Sequence, residues 1–341
     1  MIVGAAAQPG WYTAMRADAG VRLWLDPASA STLAGHWSPY ISVAEGDVAP
    51  PGAWTIAMAG EDEQGDLIDQ PSKGSGIGYR LWLDPLRRVL SIDPENATTQ
   101  RRRLVRCLLR RAFMDRGHCF LHSALVVSRR TGRGLALAGG KRAGKTSLTL
   151  AMLKSGEFDY VTNDDLVVNV DEDAGLDAFG WPRAISVRRD TLRLLADRGS
   201  ALRQVLESSR HPEQVRTGNP TDRRALLFPD ELARATGASV VAQARLHAVI
   251  VPRFDSGALS PELEQVHDRQ EACELLRQFV EGNASRQEAW LDRYFTQTHD
   301  DELERQAAKL SERVPVFRLT QSMTCLRESA KLLHDLATEG L

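Results

Sequence analysis

The run Leu246-His-Ala-Val-Ile-Val-Pro252 is almost wholly apolar, the pattern of a strand buried on both faces, and predicts the centre of a sheet. Phe120-Leu-His-Ser-Ala-Leu-Val-Val-Ser128 predicts a second buried strand, Leu135 to Ala138 a shorter one, and Val314 to Leu319 another. Tyr160 to Val170 reads as a strand broken by Asp164 and Asp165 and then resumed, and Ala184 to Val187 as a short strand after the helix-stopping Pro182. Helical spacing takes over elsewhere. Leu104, Val105, Leu108, Leu109, Ala112 and Phe113 form one stripe of a helix over Thr98 to Met114, and further helices are expected at Lys145 to Lys154, 270–281, 285–296, 300–312 and Ser322 to Thr338. Strands alternating with helices predict an α/β domain over residues 98–341.

Residues 1–97 have a different pattern, of short strands divided by Pro, Gly and Asp, and predict a separate β-rich module holding five of the seven tryptophans, Trp11, Trp24, Trp37, Trp54 and Trp82. Arg22-Leu-Trp-Leu-Asp-Pro27 recurs as Arg80-Leu-Trp-Leu-Asp-Pro85, which predicts two strands of one sheet that each end in an Asp-Pro turn. The polar, glycine-rich stretch from Gly60 to Gly78 is expected to be an exposed loop, and Ser208 to Arg224 an excursion from the second domain.

A net charge of −2 argues against a general nucleic-acid binder, but the charge is uneven. Residues 1–100 carry twelve acids against six bases, whereas 101–146 carry thirteen bases against one acid, Asp115. That block is either a solvated arginine face or a means of attracting an anion. Four cysteines without a C-x-x-C pair, no apolar run long enough to span a bilayer, and an N-terminal apolar stretch too short for a signal peptide lead to the expectation of a cytoplasmic protein with no membrane partner.

The chemistry concentrates at one point. Gly139-Gly-Lys-Arg-Ala-Gly-Lys-Thr146 matches G-x-x-x-x-G-K-[ST] at every fixed position, between a predicted strand and a predicted helix. Glycines at 139, 140 and 144 allow close backbone approach and positive φ, so that consecutive N–H groups of Lys141, Arg142, Ala143 and their neighbours can turn toward phosphate oxygens at a helix N-terminus. Lys145 is expected at the β- and γ-phosphates of ATP, Thr146 as a ligand of Mg²⁺, and Ser147 beside them. Asp164 and Asp165 come after the loop helix at the end of the next strand, where one can hold Mg²⁺ and the other can take the proton of an acceptor hydroxyl. The provisional assignment gives the metal to Asp164 and the base to Asp165. His118 and His122 are an i, i+4 pair that a strand cannot present on one face, which argues against a metal site.

The His122 strand, the Gly139–Ser147 loop and the Asn163-Asp164-Asp165 break together resemble the HPr kinase/phosphorylase superfamily, whose nucleotide fold is shared with phosphoenolpyruvate carboxykinases. The resemblance is specific over residues 118–170. After the N-terminal β-rich module, which does not resemble that family's regulatory domain, it implies a phosphate-loop α/β domain with a mixed sheet, ATP and Mg²⁺ as cofactors, and His122 beside the active site. Trp181 to Arg188 lacks the Glu-containing signature of the bacterial HPr kinases, so the implied acceptor is a Ser or Thr of another protein or of a precursor peptide in a peptide-modification pathway. A small-molecule alcohol kinase, or an ATPase or nucleotide-binding scaffold without acceptor, is the alternative; no N-K-x-D motif points to guanine. Arg210, Arg216, Arg223 and Arg224 are expected to hold an acidic peptide, Arg253 is a further candidate phosphate contact, and a homo-oligomer is left open.

Overall fold

The computed structural model describes residues 8–46, 48–60, 64–70, 79–93, 97–171, 175–196, 200–208, 224–283, 289–295 and 298–339. The chain divides into two compact units, Met1–Arg116 with Asn283–Gln297, and Gly117–Gly282 with Thr298–Leu341. The sequence placed a domain boundary at 97/98; the helix after it, Ala97–Met114, clusters with the first unit.

The first unit contains, among the described residues, a seven-stranded sheet in the order β3-β1-β2-β4-β7-β6-β5. Its strands are β1 (Gly10–Arg16), β2 (Ala19–Leu25), β3 (Ser42–Glu45), β4 (Trp54–Met58), β5 (Asp66–Gln70), β6 (Tyr79–Asp84) and β7 (Val89–Ile92). The repeated hexapeptides lie on β2 and β6, but their Asp-Pro ends diverge. Asp26 caps helix α1 (Pro27–Trp37), accepting from the Ser29 amide at 2.8 Å with Pro27 in the first turn, a position where its missing N–H costs nothing. Asp84 instead accepts from the Arg87 amide at 3.0 Å and turns the chain into β7. The hexapeptides thus share a strand role and part at the turn, a helix following Pro27 and a return strand following Pro85. The expected loop from Gly60 to Gly78 is corrected in part, because β5 lies within it and pairs with β6, Ile68 opposite Leu81. α2 (Ala97–Met114) packs its apolar stripe on β2.

The second unit is built on one mixed sheet, as the α/β pattern requires. Its path is β11-β9-β10-β16-β13-β12-β8, with β18 added beside β16 and β17 beside β18. Strands β8 (Cys119–Leu121) and β9 (Ser123–Ser128) replace the single strand expected over 120–128. β10 (Arg133–Ala138) leads to helix α3 (Lys145–Lys154), then β11 (Phe158–Thr162), β12 (Leu166–Val168) and β13 (Asp177–Phe179). β14 (Ile185–Arg188) forms a separate pair with β15 (Arg224–Leu227), between which lie α4 (Arg189–Leu195) and α5 (Ala201–Ser208). α6 (Pro229–Thr236), the long β16 (Gln243–Phe254), β17 (Glu262–Gln265), α7 (Arg269–Arg277), α8 (Asp300–Arg313), β18 (Val316–Gln321) and α9 (Leu326–Glu339) complete it. The helix expected over 285–296 is described only as a 3₁₀ turn, Ala289–Arg293, in the first unit. No helix among the described residues is long and apolar enough to cross a membrane.

Period-2 alternation explains why both sheet faces are covered. Leu135 and Leu137 of β10, with Ala124 and Val126 of β9, join one core with α3, α4, α6 and α9. Ala136, Ala138 and Leu125 point the other way, into a core with α7 and α8. Burial on both sides is why β10 and β16 read as continuous apolar runs. Leu137→Ala is expected to lower stability by about 2–5 kcal/mol, because its site is fully buried and rigidly enclosed. Urea unfolding followed by circular dichroism measures it.

Candidate active site

Four strand ends meet at one sheet edge. β10 and β16 run parallel, β16 and β18 run parallel, and β11 is antiparallel to β9, which is antiparallel to β10. Ala138, Thr162, Phe254 and Gln321 therefore close their strands on the same side, the carboxyl edge where open α/β sheets bind ligands.

After β10 the chain turns through residues 139–144 and enters α3. Gly144 holds φ +92° as the residue before the helix, a conformation that costs an L residue about 1–2 kcal/mol. Of the three glycines given this freedom from sequence, it alone uses it; the other left-handed residue of the loop is Arg142, at φ +73°. Gly139 is needed for room, since a Cβ there would lie 3.0 Å from that of Ala143, while Gly140 faces open space. Lys145 is only 6 % exposed and its ammonium donates to the Gly139 carbonyl, folding the lysine into its own loop. Lys141 and Arg142 are both exposed. Thr146 is partly buried in the first helical turn, whereas the Ser147 hydroxyl lies 3.0 Å from that of Thr191 and serves the α3–α4 contact.

The carboxylates emerge where a ladder opens. Leu121 pairs with Leu166 and Leu125 with Thr162, yet residues 163–165 between the two pairings leave the ladder. His122 sits at the matching break between β8 and β9. Its Nδ1 lies 3.3 Å from the Asp164 carbonyl oxygen and 3.5 Å from Oε1 of Glu281, and its backbone N–H donates to the Phe279 carbonyl at 2.8 Å. His122 thus contacts the backbone of the carboxylate turn from the side of the adjoining chain. Thr162 donates its hydroxyl to the Asp165 carbonyl at 2.9 Å and closes that turn from within.

Asp164 and Asp165 are not equivalent. Asp164 is half-buried, whereas the Asp165 side chain is 4 % exposed and its Oδ2 accepts from Arg183 Nη1 at 3.1 Å. Burial works against the charge of the Arg183 guanidinium, but Asp165 and then Asp164 outweigh it and raise its pKa. The sequence offered Asp165 another carboxylate as neighbour; the structure adds a cation. Arg183 comes from the segment between β13 and β14, anchored by the fully buried Trp181, whose ring lies 6.1 Å from that of Phe120. Sequence reasoning missed Arg183 and Glu281. The only signal for Arg183 was its place after Trp-Pro in a strand-breaking segment.

Asn163, next to the pair, is buried, and among the described residues its Oδ1 finds no hydrogen-bond partner. Among the described residues there is also no cluster of three His, Cys, Asp or Glu side chains of the kind that cages a metal. Mg²⁺ bound with a nucleotide needs none, because phosphate and water oxygens fill most of its shell. Arg253 is exposed on β16, Arg224 is exposed on β15, and Arg210, Arg216 and Arg223 lie outside the described residues.

No protein-family model matches this chain, and no curated protein matches it. Among solved structures, the chain is similar to the HPr(Ser) kinase/phosphatase from Coxiella burnetii at 13 % identity and a TM-score of 0.31, over 65 % of this chain and 99 % of that one. The likeness is distant, and what the site can do is read from its own residues.

Arg183→Ala removes a cation from a buried carboxylate and is expected to cost about 1–3 kcal/mol of stability. Asp165→Asn in the same chain should recover part of that loss. Thermal unfolding of the two single variants and the double variant measures the coupling.

Proposed function

We propose that the second unit is an ATP-dependent phosphotransferase that moves a γ-phosphoryl group to a Ser or Thr hydroxyl of a peptide or protein. The observation that carries this reading is the convergence, on one carboxyl edge, of a phosphate loop with a buried lysine and a turn presenting two carboxylates. Phosphoryl transfer asks a protein mainly for charge, position and a group to take the acceptor proton, and these residues can supply each.

The site fits a nucleotide with its metal. Gly144 aims the start of α3 at the loop, Lys145 has a backbone carbonyl to exchange for a phosphate, and the Asn163 Oδ1 can accept from an incoming donor. Mg²⁺ held by Thr146 and one carboxylate would neutralise charge on the phosphate oxygens. Lys145 leaves the Gly139 carbonyl and places its charge at the β- and γ-phosphates. The Arg183 pairing favours a reversal of the provisional roles. Asp165, fixed and buried, is the better electrostatic anchor, and the more accessible Asp164 is the better base. In that assignment the Asp164 carboxylate takes the hydroxyl proton as the acceptor oxygen bonds to phosphorus, and the bond to the leaving diphosphate oxygen breaks. His122 holds the backbone of Asp164 and orients it.

An extended acceptor suits the surroundings. Phe254 at the end of β16 and Leu259 in the loop beyond it are exposed, apolar and carried on the same edge, giving a peptide chain something to rest on.

Lys145→Ala is expected to abolish turnover while far-ultraviolet dichroism stays unchanged, since the loop backbone survives. Asp164→Asn should lower transfer by at least about two orders of magnitude with near-normal ATP binding. Intact-mass measurement of candidate peptides after incubation with ATP and Mg²⁺ detects the product as one added phosphate. Equal turnover by the folded Lys145→Ala protein would overturn the phosphate-loop reading, and efficient phosphorylation of free serine in place of any peptide would overturn the acceptor class.

A further inference from the structure

On β18 the residues that share a face with α3 are Phe317 and Leu319, both in the core that contains Leu148 and Leu150 of that helix. Strand alternation puts residue 321 next in that row, where another apolar side chain would continue the packing. The residue is Gln321. It is 1 % exposed, and among the described residues neither its Oε1 nor its Nε2 finds a hydrogen-bond partner. Its backbone is held, the carbonyl accepting from the Asp255 amide at 2.8 Å, so the side chain has a fixed origin. Its direction is set as well: Nε2 lies 3.1 Å from where a Cβ on Gly144 would stand, directly against the residue that opens α3.

A buried carboxamide left unsatisfied costs about 1–3 kcal/mol, and a leucine or methionine would fill the position without that cost. A ligand that brings hydrogen-bond acceptors would satisfy the N–H₂ half of the group. Lys145 reaches into the cradle by bonding to Gly139. When phosphate displaces it, the loop between Gly139 and Gly144 gains the negative oxygens that an amide N–H₂ can donate to.

We infer that Gln321 is a further phosphate-binding residue of this site, its carboxamide donating to the phosphate chain of the nucleotide once Lys145 has left the Gly139 carbonyl. The inference rests on the reading of residues 139–147 as a phosphate loop. Gln321 approaches from β18, two strands from β10, so it adds a contact from outside the loop.

The test compares Gln321→Met, of similar length and without hydrogen-bonding groups, with Lys145→Ala and the unchanged protein. Titration calorimetry with ATP and Mg²⁺, and with ADP and Mg²⁺, reads the affinities, and thermal unfolding without nucleotide reads stability. Gln321→Met is expected to unfold at the same or a higher temperature than the unchanged protein and to bind ATP about tenfold more weakly, the loss of one charge-assisted bond. Gln321→Glu, which sets an anion against the phosphates, should bind still more weakly. A lower unfolding temperature or failure to fold in Gln321→Met would show that the amide already serves the protein without nucleotide, and would overturn the inference. ATP affinity within about twofold of the unchanged protein would overturn it also. If Lys145→Ala retains full affinity, it is the phosphate-loop reading that fails; if Lys145→Ala loses affinity and Gln321→Met does not, only the role of Gln321 falls.

Discussion

A sheet covered by helices on both faces has nowhere to put polar chemistry except its ends, and that constraint governs the second unit. Leu135 and Leu137 commit one face of β10 to one core, and Ala136 and Ala138 commit the other face to a second core, so the chain can offer water and ligands only the residues beyond Ala138. The same holds for β11, β16 and β18. Because these strands run in one direction, their endings gather on one edge, and residues distant in sequence are brought to it without any need for a long connecting loop.

The carboxylate turn shows a second use of the same geometry. The 119–128 and 158–168 segments pair on both sides of a three-residue gap, so the turn at 163–165 is a local opening between two stretches of ladder. Flanking pairs hold its ends. His122 and Thr162 contact its carbonyls from two sides, and Arg183 pins the deeper carboxylate. An isolated Asp-Asp turn would be mobile and solvated. Here one carboxylate is fixed by an ion pair in a largely dry place and its neighbour stays within reach of solvent, so two identical side chains acquire different environments.

Strand and helix positions around the loop were legible because the periodicities there are strong and their ends carry glycine or carboxylates. The turn from β10 into α3 was legible as a glycine-rich strand-to-helix connection, although only Gly144 uses the positive φ that was assigned to three glycines. What escaped notice depends on contacts between remote segments. β8 and β9 look like one strand until His122 is seen to mark a change of partner, and β5 hid in a glycine-rich stretch because its stability comes from pairing with β6. Arg183 and Gln321 belong to the same class: an arginine after Trp-Pro and a glutamine closing a strand carry no pattern of their own. Their meaning comes from Asp165 and Gly144, which are remote in sequence and close in space.

The site therefore gathers several interactions that a ligand could improve. Lys145 bonds its own loop, and Asn163 and Gln321 bury amide atoms that find no partner among the described residues. The buried amide atoms cost free energy in the free protein, and that cost can be relieved by phosphate oxygens, bound water or an acceptor hydroxyl. Gly144 adds a left-handed backbone conformation immediately before α3, open to glycine at little cost. A sheet edge built for stability alone would replace Gln321 with an apolar residue and Asn163 with a turn residue facing water. The chain keeps both buried and polar, as it keeps Lys145 buried and folded onto the Gly139 carbonyl, so the carboxyl edge holds hydrogen-bonding capacity that packing alone does not call for.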